Sequence, residues 1–108
     1  MHTNDNRIAM ACTDRMVRIH KRKDFELISE FKGNNELIRR VKFSPDGIYI
    51  IVIGDDPFVR MYNHHTHNLE RQFKSYLDQT LDMDITRNGD MVCIVGEGNR
   101  IKFINIAS

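Results

Sequence analysis

Phe43-Ser44-Pro45-Asp46-Gly47-Ile48-Tyr49-Ile50-Ile51-Val52-Ile53-Gly54-Asp55-Asp56-Pro57-Phe58-Val59-Arg60-Met61-Tyr62 is the stretch that decides the fold. The run Ile48 to Ile53 is short, rich in β-branched residues and apolar on both faces. Turn residues bound it on each side, Pro45-Asp46-Gly47 before and Gly54-Asp55-Asp56-Pro57 after. That combination describes a strand covered on both faces, and a helix would need a longer run with a different period. An alternating strand, Phe58 to Tyr62, follows the second turn.

Outward from this stretch the chain repeats itself at an offset of 42 residues, without a gap. Val17-Arg18-Ile19-His20 falls on Val59-Arg60-Met61-Tyr62 and then on Ile101-Lys102-Phe103-Ile104. Gly47 falls on Gly89, Gly54 on Gly96, Leu27 on Leu69, Phe31 on Phe73 and Asp14 on Asp56. Such a period suits four-stranded propeller blades and paired-helix repeats alike. The local patterns choose the strands. Ile8 to Cys12 and Met91 to Val95 repeat the apolar run, Leu37 to Phe43 precedes it, and the polar Leu69-Glu70-Arg71-Gln72-Phe73 closes the unit. A stacked blade needs this gradient, because neighbouring blades cover its inner strands and water meets its outer one.

Phe31-Lys32-Gly33-Asn34 through Phe43-Ser44-Pro45-Asp46-Gly47, with Val59-Arg60-Met61-Tyr62-Asn63 beyond, resembles the WD-repeat family over nearly the whole chain. The resemblance implies an all-β fold of antiparallel four-stranded blades in an incomplete arc of a β-propeller. It also implies that Ser-Pro-Asp-Gly turns between the first two strands, with Pro setting φ early and Gly supplying positive φ. Thr86-Arg87-Asn88-Gly89 does the same work in the last repeat, where Asn-Gly is a hairpin signal.

The departures from the family pattern are specific. Its blades carry a hydrogen-bond network of His, Asp and Trp. Asp14 and Asp56 hold the Asp position and Gly98 stands there in the last repeat. The Trp position holds His20, Tyr62 and Ile104, and the His position holds Asn34 and Tyr76. The expectation is that apolar packing carries more of the load, each lost hydrogen bond costing roughly 1 kcal/mol net. In the family's strand order, residues 1–33 read as a partial blade entered at its second strand, 34–75 as a complete blade and 76–108 as a partial one. That is about two and a half blades, where propellers close with four to eight. Either the remaining blades belong to the same parent chain, as the start inside a blade favours, or several copies complete the ring together.

Composition narrows the function classes. The 108 residues are 41% hydrophobic and 29% charged, with 16 basic and 15 acidic side chains. Near-neutral charge gives no electrostatic reason to expect nucleic acid or an anionic membrane. The N-terminus lacks an apolar signal segment, and no apolar run approaches membrane-spanning length. The expected location is cytoplasmic or nuclear, not secreted, with Cys12 and Cys93 as buried reduced thiols.

No catalytic constellation stands out, and no cofactor or metal is expected. His64-His65-Thr66-His67 is the one metal-like grouping, and it reads as a solvated turn because it lacks a full ligand set. Asp82, Asp84 and Glu97 read as solvated strand ends without a repeating partner constellation. Gly96-Glu97-Gly98 is a hairpin turn, because no helix follows to present an anion site. The scattered Arg and Lys residues with few aromatics do not indicate RNA binding.

The resemblance implies partner contacts on the propeller face made by the turns into the first strand and between the second and third. Those positions are Asn35, Glu36, Arg39, Tyr76, Asp78, Thr13, Arg15, Asp55, Phe58, Glu97 and Arg100. They mix an aromatic ring type, arginines and carboxylates, as interfaces do. The expected function is a non-catalytic scaffold that binds proteins or peptides in a larger complex. The alternatives are the propeller portion of an enzyme, which predicts a central metal or a separate catalytic domain, and an RNA-binding propeller, which predicts a steep salt dependence.

Overall fold

The computed structural model describes residues 2–3, 6–33, 36–75 and 80–106. They form three antiparallel sheets. The first contains β1 (His2–Thr3), β2 (Arg7–Ala11), β3 (Met16–Lys21) and β4 (Leu27–Lys32). The second contains β5 (Ile38–Phe43), β6 (Tyr49–Gly54), β7 (Phe58–Asn63) and β8 (Leu69–Lys74). The third contains β9 (Thr80–Ile85), β10 (Met91–Gly96) and β11 (Arg100–Asn105). From β2 onward, each strand begins 42 residues before its counterpart in the next sheet, so the sequence period is the structural period.

The first sheet departs from the sequence reading at its start. Thr3 pairs with Ile8 and His2 with Ala9, the register that Phe43 and Lys42 adopt against Ile50 and Ile51. The chain therefore contributes the end of a first strand before entering the second. Two residues are too few to show an alternation, so pattern reading passes over them.

The turn between β5 and β6 follows from its residues. The Gly47 amide donates to the Ser44 carbonyl at 2.9 Å, and Gly47 has φ of 75°. The Asp46 carboxylate accepts from the Ser44 hydroxyl at 2.5 Å and the Ile48 amide at 2.9 Å. Thr86 and Asn88 build the same turn before β10, with Gly89 at φ 78°. Asn88 itself keeps negative φ, so this Asn-Gly makes the family's turn and not a two-residue hairpin with both residues left-handed.

The sheets stack through two apolar layers. Ile50, Val52, Tyr62, Val41 and Phe43 of the second sheet meet Ala9, Val17 and Ile19 of the first. Ile51, Ile53, Val59 and Met61 on its other face meet Met83, Val92, Ile94 and Ile104 of the third. Ile50 to Ile53 are at most 1% exposed, and burying each contributes on the order of 1.5–3 kcal/mol. The outer strands β4 and β8 share a largely exposed pattern with Phe31 and Phe73 half-buried. Cys12 and Cys93 are free thiols, half-buried where the sequence reading expected buried ones.

Gly54 closes β6 against the backbone entering β5. A Cβ there would lie 2.0 Å from the Leu37 carbonyl oxygen and 3.0 Å from the Ile38 Cα. Backbone cannot yield as a side chain can. Gly54→Ala is expected to destabilise the fold by roughly 2–4 kcal/mol, and Gly89→Ala, with only the Pro45 ring 3.6 Å away, by roughly 1 kcal/mol. Urea denaturation of both variants checks the order.

Candidate functional site

The turns between β2 and β3, β6 and β7, and β10 and β11 lie at one end of the sheets, with Gly33, Leu37 and Ser75 beside the first two. Backbone bonds tie the two sets together. The Gly33 amide donates to Arg15 at 3.1 Å, Asp55 to Leu37 at 3.0 Å and Ser75 to Pro57 at 2.8 Å. The β2–β3 and β6–β7 turns are thus laced to neighbouring backbone.

Of the residues expected on this face, Thr13, Arg15, Glu36, Glu97 and Arg100 are exposed. Arg15 holds φ of 70°, a left-handed conformation that costs a non-glycine residue of order 1 kcal/mol or more. Arg39 and Asp55 are brought together in a 2.6 Å ion pair, half-buried. Phe58 is half-buried with the Arg60 guanidinium over its ring at 5.5 Å. Glu97 lies in a short 3-10 turn (Glu97–Asn99) before Arg100 opens β11. Asn35, Tyr76 and Asp78 lie outside the described residues, as does Asn34 at the family's His position.

Beneath the face, each of two turns carries an acid that clamps an arginine four residues on. Asp14 meets Arg18 through both carboxylate oxygens, at 2.6 and 3.1 Å, and Asp56 meets Arg60 at 3.0 Å. Each carboxylate also accepts an amide two residues ahead, Met16 at 3.2 Å and Phe58 at 3.0 Å. The Arg18 guanidinium, as hydrogen-bond donor first, holds the Asp14 carboxyl below the usual carboxylate range. The environments differ, because Asp56 and Arg60 have side chains only 8% and 10% exposed. The signal was present in the sequence as Asp at a turn and Arg four residues on, in two successive repeats. The last repeat has Gly98 and Lys102 at these positions.

The residues at the Trp position find substitutes for the missing network. The Tyr62 hydroxyl donates to the Gly33 carbonyl at 3.0 Å across the joint between sheets, and burial pushes its phenol up. The His20 ring nitrogen bonds the Phe25 carbonyl at 2.8 Å, and Ile104 joins the core. Tyr62 thus supplies a polar tie between the first and second sheets beside their apolar layer.

Two expectations are corrected. Asp82 and Asp84 are solvated as expected, with side chains 60% and 83% exposed, but they are not strand ends. They sit within the inner strand β9 and meet Arg40 at 3.2 Å and Lys42 at 3.1 Å, the residues one repeat earlier. Equivalent positions of successive repeats carry opposite charges here, so identity between repeats does not reveal the pairing. Nor is the histidine cluster a uniformly solvated turn. His64 is 4% exposed, edge-on to Phe43 at 5.2 Å, with its Nδ1 without a hydrogen-bond partner. His67, at φ 63°, stacks on Phe31 at 5.0 Å. Among the described residues no group of three His, Cys, Asp or Glu side chains is placed to hold a metal ion.

At the opposite end a cleft of about 430 Å³ opens between the second and third sheets, lined by Ser44, Asp46, Tyr49, Arg71 and Asp90 among others. Arg71 bridges the sheets there, donating to the Ile106 carbonyl at 2.9 Å while lying over Phe73. No sequence motif marked it.

Repeated antiparallel four-strand units, stacked face to face with turns gathered at the ends, define an arc of a WD40-type β-propeller. The crystal structure of the WD40 β-propeller domain of Doa1 matches with a TM-score of 0.80 at 16% identity, over 94% of this chain and 33% of that chain. This chain thus spans about a third of that neighbour's length, and the likeness is one of fold. No family model matches the sequence, and the comparison with curated proteins found no match.

Asp56→Ala removes the carboxylate against which the Arg60 charge is buried, and is expected to cost roughly 3–5 kcal/mol in denaturant unfolding. Asp14→Ala, in the water-exposed pair, is expected to cost far less. Desolvation, with Arg7, His65 and His67 adding positive charge, lowers His64 to about 4 from 6.5. The unfolded chain takes up this proton near 6.5 and the folded one near 4, so the stability His64 permits is present above pH 6.5 and lost between them. Thermal melts at pH 7 and pH 4.5 are expected to show a fall in Tm that His64→Phe reduces by roughly 4–8 °C per kcal/mol recovered.

Proposed function

We propose that this chain is a non-catalytic scaffold that binds other proteins or peptides, within a larger cytoplasmic or nuclear complex, through the face formed by the β2–β3, β6–β7 and β10–β11 turns. One observation carries the reading: exposed residues of mixed type at one end of the stack, with the β2–β3 and β6–β7 turns held by backbone bonds from Gly33, Asp55 and Ser75. A surface whose backbone is already ordered loses less entropy on binding than a free loop does. The Arg39–Asp55 pair fixes two of the polar groups at the rim of that surface. WD40 propellers in general serve as protein-interaction scaffolds, which agrees with this use.

The test compares two charge reversals in the full chain. Arg15→Glu with Arg100→Glu alters the proposed face, and Arg22→Glu with Lys23→Glu alters the opposite end. Affinity enrichment with quantification is expected to lose partners by at least tenfold in the first variant and to retain them in the second. Equal losses, or losses in the second alone, would sink the assignment of the face. A stoichiometric catalytic metal ion in purified protein would instead favour the enzymatic reading. RNA affinity falling steeply with salt would favour the ribonucleoprotein reading.

A further inference from the structure

Of the polar side-chain atoms buried among the described residues, His64 Nδ1 is the one without a hydrogen-bond partner. His64 opens the β7–β8 turn, is 4% exposed and meets the Phe43 ring edge-on at 5.2 Å. A neutral imidazole tolerates this with Nδ1 as a bare acceptor. An imidazolium adds a second N–H and a full charge, and a buried charge needs partners. Among the described residues the charged groups that act on this ring are Arg7 of β2, across the joint between the first and second sheets, and His65 and His67 of its own turn. None is an acid. The strand β5 brings only the Phe43 ring, and the Ile48 carbonyl is already taken by the His64 amide at 2.8 Å.

The turn that carries His64 also clasps the neighbouring sheet. Asn63 Oδ1 accepts the His65 amide at 2.8 Å and the Thr66 amide at 3.0 Å, and the Asn63 carbonyl accepts the His67 amide at 2.8 Å. The turn is thus bonded within itself and moves as one piece. His67 stacks on Phe31 of β4 at 5.0 Å, and Phe31 lies 4.9 Å from Tyr62. His64 and His67 are therefore two ends of one rigid turn, the first sunk in the joint and the second laid across it.

We propose that the β7–β8 turn is an acid-sensitive latch between the first two sheets: a proton taken up by His64 drives the turn out toward water, parts His67 from Phe31 and uncovers that edge of the joint. Solvation of the imidazolium supplies the driving force, and Arg7 adds repulsion across the joint. The Tyr62 bond to Gly33 holds, since burial pushes the phenol up and away from this range. The other joint, where Ile51 and Ile53 meet Met83 and Ile94, has no histidine in its apolar layer and stays closed. The latch lies at the end of the sheets away from the proposed turn face and does not depend on it.

The test follows the imidazole and methyl signals of the isotope-labelled full chain by NMR from pH 7 to pH 4. His64 is expected to titrate at least one pH unit below a free histidine. The nuclear Overhauser contact between His67 and Phe31 is expected to vanish at the His64 midpoint, while the methyl signals of Met83 and Ile94 stay put. Arg7→Gln is expected to raise that midpoint by about half a pH unit, and His64→Phe to preserve the His67–Phe31 contact throughout. A contact that persists once His64 is charged, or that is lost at the midpoint of His67 instead, would overturn the proposal. So would a change at both joints with one midpoint, because the chain would then be unfolding as a whole. A His64 midpoint that Arg7→Gln leaves unmoved would do the same, and it is read in a chain whose His64 is intact.

Discussion

Four consecutive residues, Ile50 to Ile53, are buried because β6 is sandwiched between two sheets, and the rest of the structure depends on that double coverage. Alternate side chains of a strand point to opposite faces. Ile50 and Val52 therefore face the first sheet while Ile51 and Ile53 face the third. A single sheet in water would expose half of that run. Stacking removes the exposure and so dictates that the sheets pile face to face, with their turns gathered at two ends.

Polar interactions in this stack orient more than they stabilise. The Asp56–Arg60 pair is nearly dry, and its net contribution is small beside the cost of breaking it. It fixes the β6–β7 turn, as Asp14 and Arg18 fix the one before. Opposite charges at equivalent positions of β5 and β9 join inner strands that would otherwise set like residues beside like. The Tyr62 bond to Gly33 keeps one tie across the joint where the family's His and Trp are absent.

Much of the fold was legible in the sequence. The repeat offset located the strands from β2 onward, and Ser44, Asp46 and Gly47 named their turn through the groups each must supply. The candidate face was legible only as a set of turn positions. That Arg39 meets Asp55, or that Phe58 lies under Arg60, depends on the side-chain paths across neighbouring strands. His64 shows the limit most plainly. A run of histidines in a turn reads as solvated, yet packing against Phe43 from the adjacent part of the sheet buries one of them.

The sequence by itself determined the strand order, the period and the turn chemistry, because these follow from local alternation and from the φ that Pro and Gly supply. Tertiary structure alone decided which charges meet, which histidine loses water and which apolar residues stay uncovered. Ile101 and Phe103 have the same character as Val59 and Met61, and among the described residues the neighbouring strand and sheet that cover Val59 and Met61 separate core positions from exposed ones. Burial is a property of what stands opposite a side chain, and a single chain's pattern specifies the side chain without specifying its neighbour.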